Sequence, residues 1–104
     1  MTSGKALRFY TQEKRMHTNV PVYRWILSTA KALRIEGGTA FRGIESFGHD
    51  GQWHADHFFE LQGDLPIEVL ILTSPEKAER LLSHIRAAQL NIFYTETEIQ
   101  FDIL

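Results

Sequence analysis

Residues 66–82 read PIEVLILTSPEKAERLL, an apolar strand that runs directly into a capped helix. The β-branched and other apolar side chains of residues 67–72 favour a strand. Ser74 is a good helix N-cap, Pro75 suits the first helical position, and Glu76 places a negative charge in the first turn. The following apolar residues recur at helical spacing and form one face: Ala78, Leu81, Leu82 and Ile85. A strand followed by an amphipathic helix is therefore predicted.

The first half of the chain shows the same alternation of strand and helix. Period-2 alternation of apolar and polar side chains predicts a strand over residues 6–12. Pro21 can open a helix, whose stripe is Val22, Ile26, Ala30 and Leu33. Gly37 and Gly38 are predicted to end that helix, and residues 39–47 form the second strand. Trp25 flanks the stripe, where it is either half-buried at the helix rim or an anchor in a subunit interface.

Two strands are predicted after the second helix. One covers residues 91–95, and a short final strand follows in which Ile99, Phe101 and Ile103 alternate with polar residues. The order βαββαβ plus a short C-terminal strand is that of a ferredoxin-like α+β fold, an antiparallel sheet with both helices on one face. We expect a single domain over residues 1–104, with a long functional loop at about 48–65.

The strand at residues 67–72 is apolar on both faces. Ile67, Val69 and Ile71 point to one side, whereas Leu70 and Leu72 point to the other. Helices on one side of the sheet leave the second side uncovered, and an uncovered sheet face in a monomer is usually polar. The pattern therefore predicts a homo-oligomer in which the second face is covered by another copy.

Composition narrows the classes of function. The 104 residues carry a net charge of −2 and no cysteine, so electrostatic capture of nucleic acid has little support and cysteine chemistry is excluded. No stretch approaches the roughly 18 apolar residues of a membrane span, and no secretory signal is evident. A cytoplasmic protein without membrane insertion is expected. No nucleophile elbow or phosphate-binding glycine motif is present, so we do not expect an enzyme.

The long connection at residues 48–65 is dense in groups that bind ligands. Its histidines are His49, His54 and His57, with Asp50 and Asp56 nearby. Imidazole and carboxylate groups suit a divalent metal such as zinc, nickel or copper. Three interpretations stay open: ordinary solvated loop histidines, a histidine that contacts an anionic ligand, and a metal site.

The run Arg42-Gly43-Ile44-Glu45-Ser46-Phe47-Gly48, the downstream His54 and the step Asp64-Leu65-Pro66 are similar to the PII-like family catalogued as domain of unknown function 190. The resemblance covers nearly the whole chain. It implies a trimeric regulatory protein that senses an adenine nucleotide or another small anion, docks on a target through the long loop, and partners with a membrane transporter or channel. It makes Gly43, Phe47 and Gly48 the loop base at a cleft, and Arg42 and His54 candidate ligand contacts, with Glu45 beside them.

One segment departs from that family pattern. PII proteins carry a Gly-rich, Lys-bearing segment before the fourth strand, where this chain has residues 87–93, which contain neither Gly nor Lys. Two alternatives to the nucleotide or anion sensor follow. One is a metal-binding trimer like the CutA proteins that uses the loop histidines, and the other is an adaptor that binds no small ligand.

Overall fold

The computed structural model describes residues 1–47 and 64–104. Within these residues there are two helices and four long strands, and a hairpin of two short strands, each of two residues, joins the first long strand to the first helix. In chain order the elements are β1 (Thr2–Gln12), β2 (Met16–His17), β3 (Val20–Pro21), α1 (Val22–Ala32), β4 (Gly37–Arg42), β5 (Pro66–Thr73), α2 (Pro75–Ala87) and β6 (Phe93–Phe101).

The four long strands form one antiparallel sheet in the order β4-β5-β1-β6. β1 lies in the interior of the sheet and pairs on both sides, so that Arg8 faces Leu70 of β5 and Thr95 of β6. This strand order, with both helices contributing to a single core, is that of the ferredoxin-like fold. The predicted fold class is confirmed.

The core lies between the sheet and the two helices. It is built from the alternating residues of β1 and β5 that point toward the helices and from the apolar stripes of α1 and α2. Its largest fully buried side chains are Phe9, Leu7, Ile26, Ile71, Leu81, Val22 and Val69. At the start of α2, Ser74 Oγ accepts a hydrogen bond from the Lys77 N–H at 3.4 Å. The capped amphipathic helix predicted from residues 66–82 is therefore confirmed.

β5 is apolar on both faces, as predicted. Ile67, Val69 and Ile71 are buried against the helices, whereas Leu70 is half-buried and Leu72 is exposed on the opposite face. No helix of the described residues covers that opposite face, and it also carries exposed aromatic side chains from β1, β4 and β6. The sheet therefore presents an uncovered face, defined here by Tyr10, Phe41, Leu70, Leu72 and Phe93.

Helix α1 ends earlier than predicted. It stops at Ala32, and Arg34 takes the left-handed backbone conformation, with φ 60°, that was expected of a glycine. Gly37 and Gly38 instead begin β4, where they pair with Leu72 and Ile71 of β5. A Cβ on Gly38 would lie 3.1 Å from Leu27 Cδ2 and from Ile71 Cδ1, so close packing against the core favours the second glycine.

Two further boundaries differ from the predictions. The two strands expected after α2 are one continuous strand, β6, because β1 begins at Thr2 and is long enough to pair as far as Phe101. β4 ends at Arg42 instead of Phe47.

Trp25 is half-buried, with its ring edge-on to His17 at 4.8 Å. Within residues 1–47 and 64–104, no helix is long and apolar enough to cross a membrane.

Candidate functional site

A cleft of about 880 Å³ opens at one end of the sheet. β1 and β4 end there and β5 and β6 begin there, because the strands are antiparallel and their neighbouring ends meet at one edge. Its lining therefore comes from four separate parts of the chain. Its lining includes two arginines, two glutamates (Glu45 and Glu68) and four aromatic rings.

Arg42 is the first cation of the cleft. It is the last residue of β4, and its Nε donates a hydrogen bond to Glu13 Oε2 at 2.7 Å. A terminal guanidinium nitrogen contacts the same carboxylate oxygen. The Arg42 side chain is 61% exposed, whereas that of Glu13 is 21% exposed. The cation is therefore accessible to solvent while its carboxylate partner is largely enclosed.

Arg15 is the second cation, and the turn after β1 holds it in place. Its N–H donates to Gln12 O at 3.2 Å, and its carbonyl accepts from the Val22 N–H at 2.8 Å. Its guanidinium donates to the carbonyl of Leu90, in the segment between α2 and β6. Arg15 therefore links the turn after β1 to the start of β6 and brings a second positive charge to the cleft.

The four aromatic rings of the cleft belong to Tyr10, Phe41, Phe47 and Phe93. The rings of Tyr10 and Phe93 face each other across β1 and β6, with centroids 5.9 Å apart. Phe41, Phe47 and Phe93 are each about half or more exposed. Aromatic side chains of this size are usually covered by a ligand or by another protein surface. The rings of Tyr10, Phe41 and Phe93 also belong to the uncovered face, so the cleft and that face are continuous.

Gly43 fixes the end of β4 beside the start of β5. Its N–H donates to Pro66 O at 2.7 Å, and a Cβ added to it would lie 3.1 Å from Pro66 Cγ. A side chain at this position would press on the proline ring, so the close approach favours glycine. The two sides of the long connection, residue 43 before it and residue 66 after it, are thereby held together.

A buried hydroxyl group and an unusual backbone conformation lie at or beside the cleft. Thr11 borders it with a buried Oγ1 that has no hydrogen-bond partner among the residues the structure describes. Gln89 and Asn91, in the segment between α2 and β6, both have φ 54°, a left-handed conformation that glycine adopts most readily. The segment predicted to depart from the PII pattern thus lacks its glycines but has two residues in a glycine-like backbone conformation.

The structure brings together four of the predicted ligand residues: Arg42, Gly43, Glu45 and Phe47 all line the cleft. Gly48 and His54, also predicted as ligand contacts, lie outside the described residues, as do His49 and His57 of the metal alternative. Among residues 1–47 and 64–104, no group of three or more His, Asp or Glu is arranged to hold a metal ion.

Sequence reasoning missed Glu13, Arg15 and Asn91. Glu13 and Arg15 lie in the irregular turn after β1, and Asn91 lies in the short segment before β6. Glu13 and Arg15 reach the site through contacts with residues far along the chain, Glu13 with Arg42 and Arg15 with Leu90, and Asn91 lines the cleft. The only local signal was the cluster Glu13-Lys14-Arg15, which reads equally well as a solvated turn.

Comparison with known proteins identifies the family of this chain. The model of the family DUF190, described as "Uncharacterized ACR", matches residues 4–100. The UPF0166 protein of Aquifex aeolicus (strain VF5) is 34% identical over 82 residues, which cover 79% of this chain and 78% of that protein.

A solved structure shares the fold. It is CPII, a nitrogen regulatory PII-like protein from Thiomonas intermedia K12, bound to ADP, AMP and bicarbonate. The TM-score is 0.58 at 12% sequence identity, and the match covers 94% of this chain and 96% of that chain. The fold is therefore PII-like, and the extent of the family match shows that this chain belongs to the DUF190 family.

Proposed function

We propose that this protein is a PII-like sensor that binds a small anionic ligand, in the first instance an adenine nucleotide, in the cleft at the end of the sheet. The observation that carries the proposal is the combination of two guanidinium groups and four aromatic rings around one cleft of about 880 Å³. Arginine binds phosphate and carboxylate groups with two parallel hydrogen bonds, and aromatic rings stack on bases. The volume lies within the roughly 300–1,000 Å³ of small-molecule sites.

The ligand class is supported by the solved neighbour. CPII binds ADP, AMP and bicarbonate, all of which are anions, and two of them carry an adenine base. Arg42 and Arg15 offer positive charge to the anionic part, while Phe41, Phe47 and Phe93 offer apolar surface to a base. We propose binding rather than catalysis as the role of this cleft.

We further propose that the protein is a homotrimer built through the uncovered face. Tyr10, Phe41, Leu72 and Phe93 are between 38% and 57% exposed on this face, and large apolar side chains exposed together on one sheet face usually mark an interface. The three-fold order rests on the resemblance to PII proteins. Because the cleft is continuous with this face, a neighbouring subunit would contribute to the walls of the ligand site.

We propose that ligand binding is communicated to a target protein through the connection at residues 48–65. The chain on either side of it is anchored at the cleft, where Gly43 is hydrogen bonded to Pro66. A ligand at Arg42 or Phe47 would contact the chain just before this connection. The proposed recipient is a target protein in the cytoplasm or at the membrane, such as a transporter or channel, as the resemblance to the PII-like family implies.

The test is a thermal-shift screen followed by calorimetric titration. The probes are ADP, AMP, bicarbonate and the chloride salts of zinc, copper and nickel. A ligand that binds only the folded protein raises the melting temperature by mass action. We expect ADP or AMP to raise it and Arg42→Ala to abolish the rise.

Arg80→Ala is the matched control, because Arg80 is exposed on α2 and does not line the cleft. A response to metals alone, lost on replacing His54 and His57, would instead establish the metal-binding alternative. No response to any probe, by the wild type and by every variant, would refute the sensor and leave the ligand-free adaptor.

A further inference from the structure

The guanidinium of Arg42 is already engaged by a carboxylate of its own chain. Its Nε and a terminal nitrogen both contact Glu13 Oε2, with the Nε hydrogen bond at 2.7 Å. These nitrogens form one of the two edges with which arginine binds the oxygens of a phosphate or carboxylate. We propose that Glu13 is an internal competitor for the ligand: its carboxylate occupies the Nε edge of Arg42, and an anionic ligand binds that edge by displacing it. This inference rests on the proposed function.

Glu13 is the fixed member of the pair. Its N–H donates to Leu65 O at 2.8 Å, and the N–H of the next residue, Lys14, donates to Asp64 Oδ1 at 3.1 Å. Its side chain is also the less exposed of the two, at 21% against 61% for Arg42. Arg42 has the longer and freer side chain, and it already lines the cleft. Displacement therefore means that the Arg42 guanidinium turns from Glu13 toward the ligand while Glu13 stays in place.

The exposure of Arg42 determines how strongly Glu13 can weaken ligand binding. A solvent-exposed ion pair of this kind is formed only a few times more often than it is broken. The apparent dissociation constant of a ligand is raised by the inverse of the fraction of Arg42 that is free to bind. Glu13 should therefore weaken anion binding by about two- to six-fold. It adjusts the affinity of the site without closing it.

The experiment is calorimetric titration of the full chain with ADP as the probe. Glu13→Gln removes the charge and keeps the shape of the side chain, and Glu13→Ala removes the competing group altogether. Glu79→Gln makes the same change of charge on the exposed surface of α2 and is the control. We expect both Glu13 variants to bind ADP about two- to six-fold more tightly than the wild type, and Glu79→Gln to match the wild type. The double variant Glu13→Gln, Arg42→Ala should bind ADP no more tightly than Arg42→Ala alone, because the gain in affinity depends on Arg42.

The outcomes separate this inference from the proposed function. If the wild type and both Glu13 variants bind ADP with equal affinity, the cleft is a ligand site and the competition is refuted. Weaker binding by the variants also refutes it, since Glu13 would then position Arg42 for the ligand. Binding by the Glu13 variants alone supports both proposals. If neither the wild type nor any variant binds ADP, both the proposed ligand site and the proposed competition by Glu13 are refuted.

Discussion

The hydroxyl of Thr73 donates a hydrogen bond of 2.6 Å to Glu36 Oε1, which ties the turn before β4 to the end of β5. Thr73 is fully buried, and Lys77 Nζ lies 3.5 Å from the other carboxylate oxygen, Oε2. The Thr73 hydrogen bond, with smaller contributions from the backbone N–H of Glu36 and the Lys77 charge, lowers the pKa of Glu36 below its ordinary value of 4.5. The charged form of this carboxylate is therefore favoured by folding.

This carboxylate should make the protein less stable in acid. Because the pKa of Glu36 is lower in the folded than in the unfolded chain, its contribution is fully present above pH 4.5 and is lost as pH falls through the folded-state pKa. We expect Glu36→Gln to flatten the fall in the free energy of unfolding below pH 4.5. Thr73→Val removes the hydrogen bond that is the main cause of the lowered pKa, so it should also flatten the fall in the free energy of unfolding. Urea denaturation at a series of pH values from 6 to 3, about three units that span the ordinary pKa of the carboxyl, would measure the free energy of unfolding of each protein. Equal acid dependence in all three proteins would contradict it.

Gly4 should tolerate no side chain. A Cβ at this position would lie 2.6 Å from Phe101 Cε1 and 2.6 Å from the carbonyl oxygen of Thr73. The phenyl ring can move, but the carbonyl belongs to the sheet backbone. Gly4→Ala should therefore lower the free energy of unfolding by about 1–3 kcal/mol. Gly37→Ala is the matched control, since its Cβ would meet nothing closer than Leu72 Cβ at 4.0 Å. Thermal and urea denaturation would compare them, and equal loss in both variants would contradict the prediction.

Replacing Gln89 by glycine should stabilise the protein. Gln89 follows the C-terminal end of α2 with φ 54°, and its side chain is exposed, so the substitution relieves backbone strain without loss of packing. The expected gain in the free energy of unfolding is about 1 kcal/mol. Ala87→Gly, two residues earlier and still within α2, should instead lose about 0.5–1 kcal/mol. Chemical denaturation of the two variants gives opposite signs if the left-handed conformation is the cause, and the same sign if it is not.

A charge on the uncovered face should dissociate the proposed trimer. Leu72 lies on this face opposite Gly37 and outside the cleft. Leu72→Glu would place a carboxylate in the subunit interface, where an unpaired charge is costly. Light scattering should give three times 12.0 kDa for the wild type and a smaller mass for the variant. Ser83→Glu, on the exposed surface of α2, is the control that should keep the wild-type mass. A monomeric wild type would refute the trimer itself.

Most of the fold could be predicted because its signals are local. The alternation of Leu7, Phe9 and Thr11, and the Ser74-Pro75 start of α2, each depend on neighbours within a few residues. The boundaries that were wrong depend on distant residues instead. Gly38 belongs to β4 because of Ile71, and β6 is continuous because β1 begins early enough to pair with it.

The candidate site was predictable only in part. Arg42, Gly43, Glu45 and Phe47 were found because they lie together in one run of the sequence that resembles a known family. Glu13 could not be found in this way, because its relation to Arg42 exists only once β1 and β4 are placed in the sheet with their ends together. A charged residue in a turn carries no sign of its partner, since solvated turns contain the same residue types.

The interior position of β1 has a consequence for how the protein is made. β1 is synthesised well before both strands that pair with it: Arg8 pairs with Leu70 of β5 on one side and with Thr95 of β6 on the other. A nascent chain on the ribosome therefore carries an apolar strand with both edges unpaired until β5 and then β6 emerge. The sheet can close only after β6 has left the exit tunnel, and until then the unpaired β1 is the segment that a nascent-chain chaperone would bind.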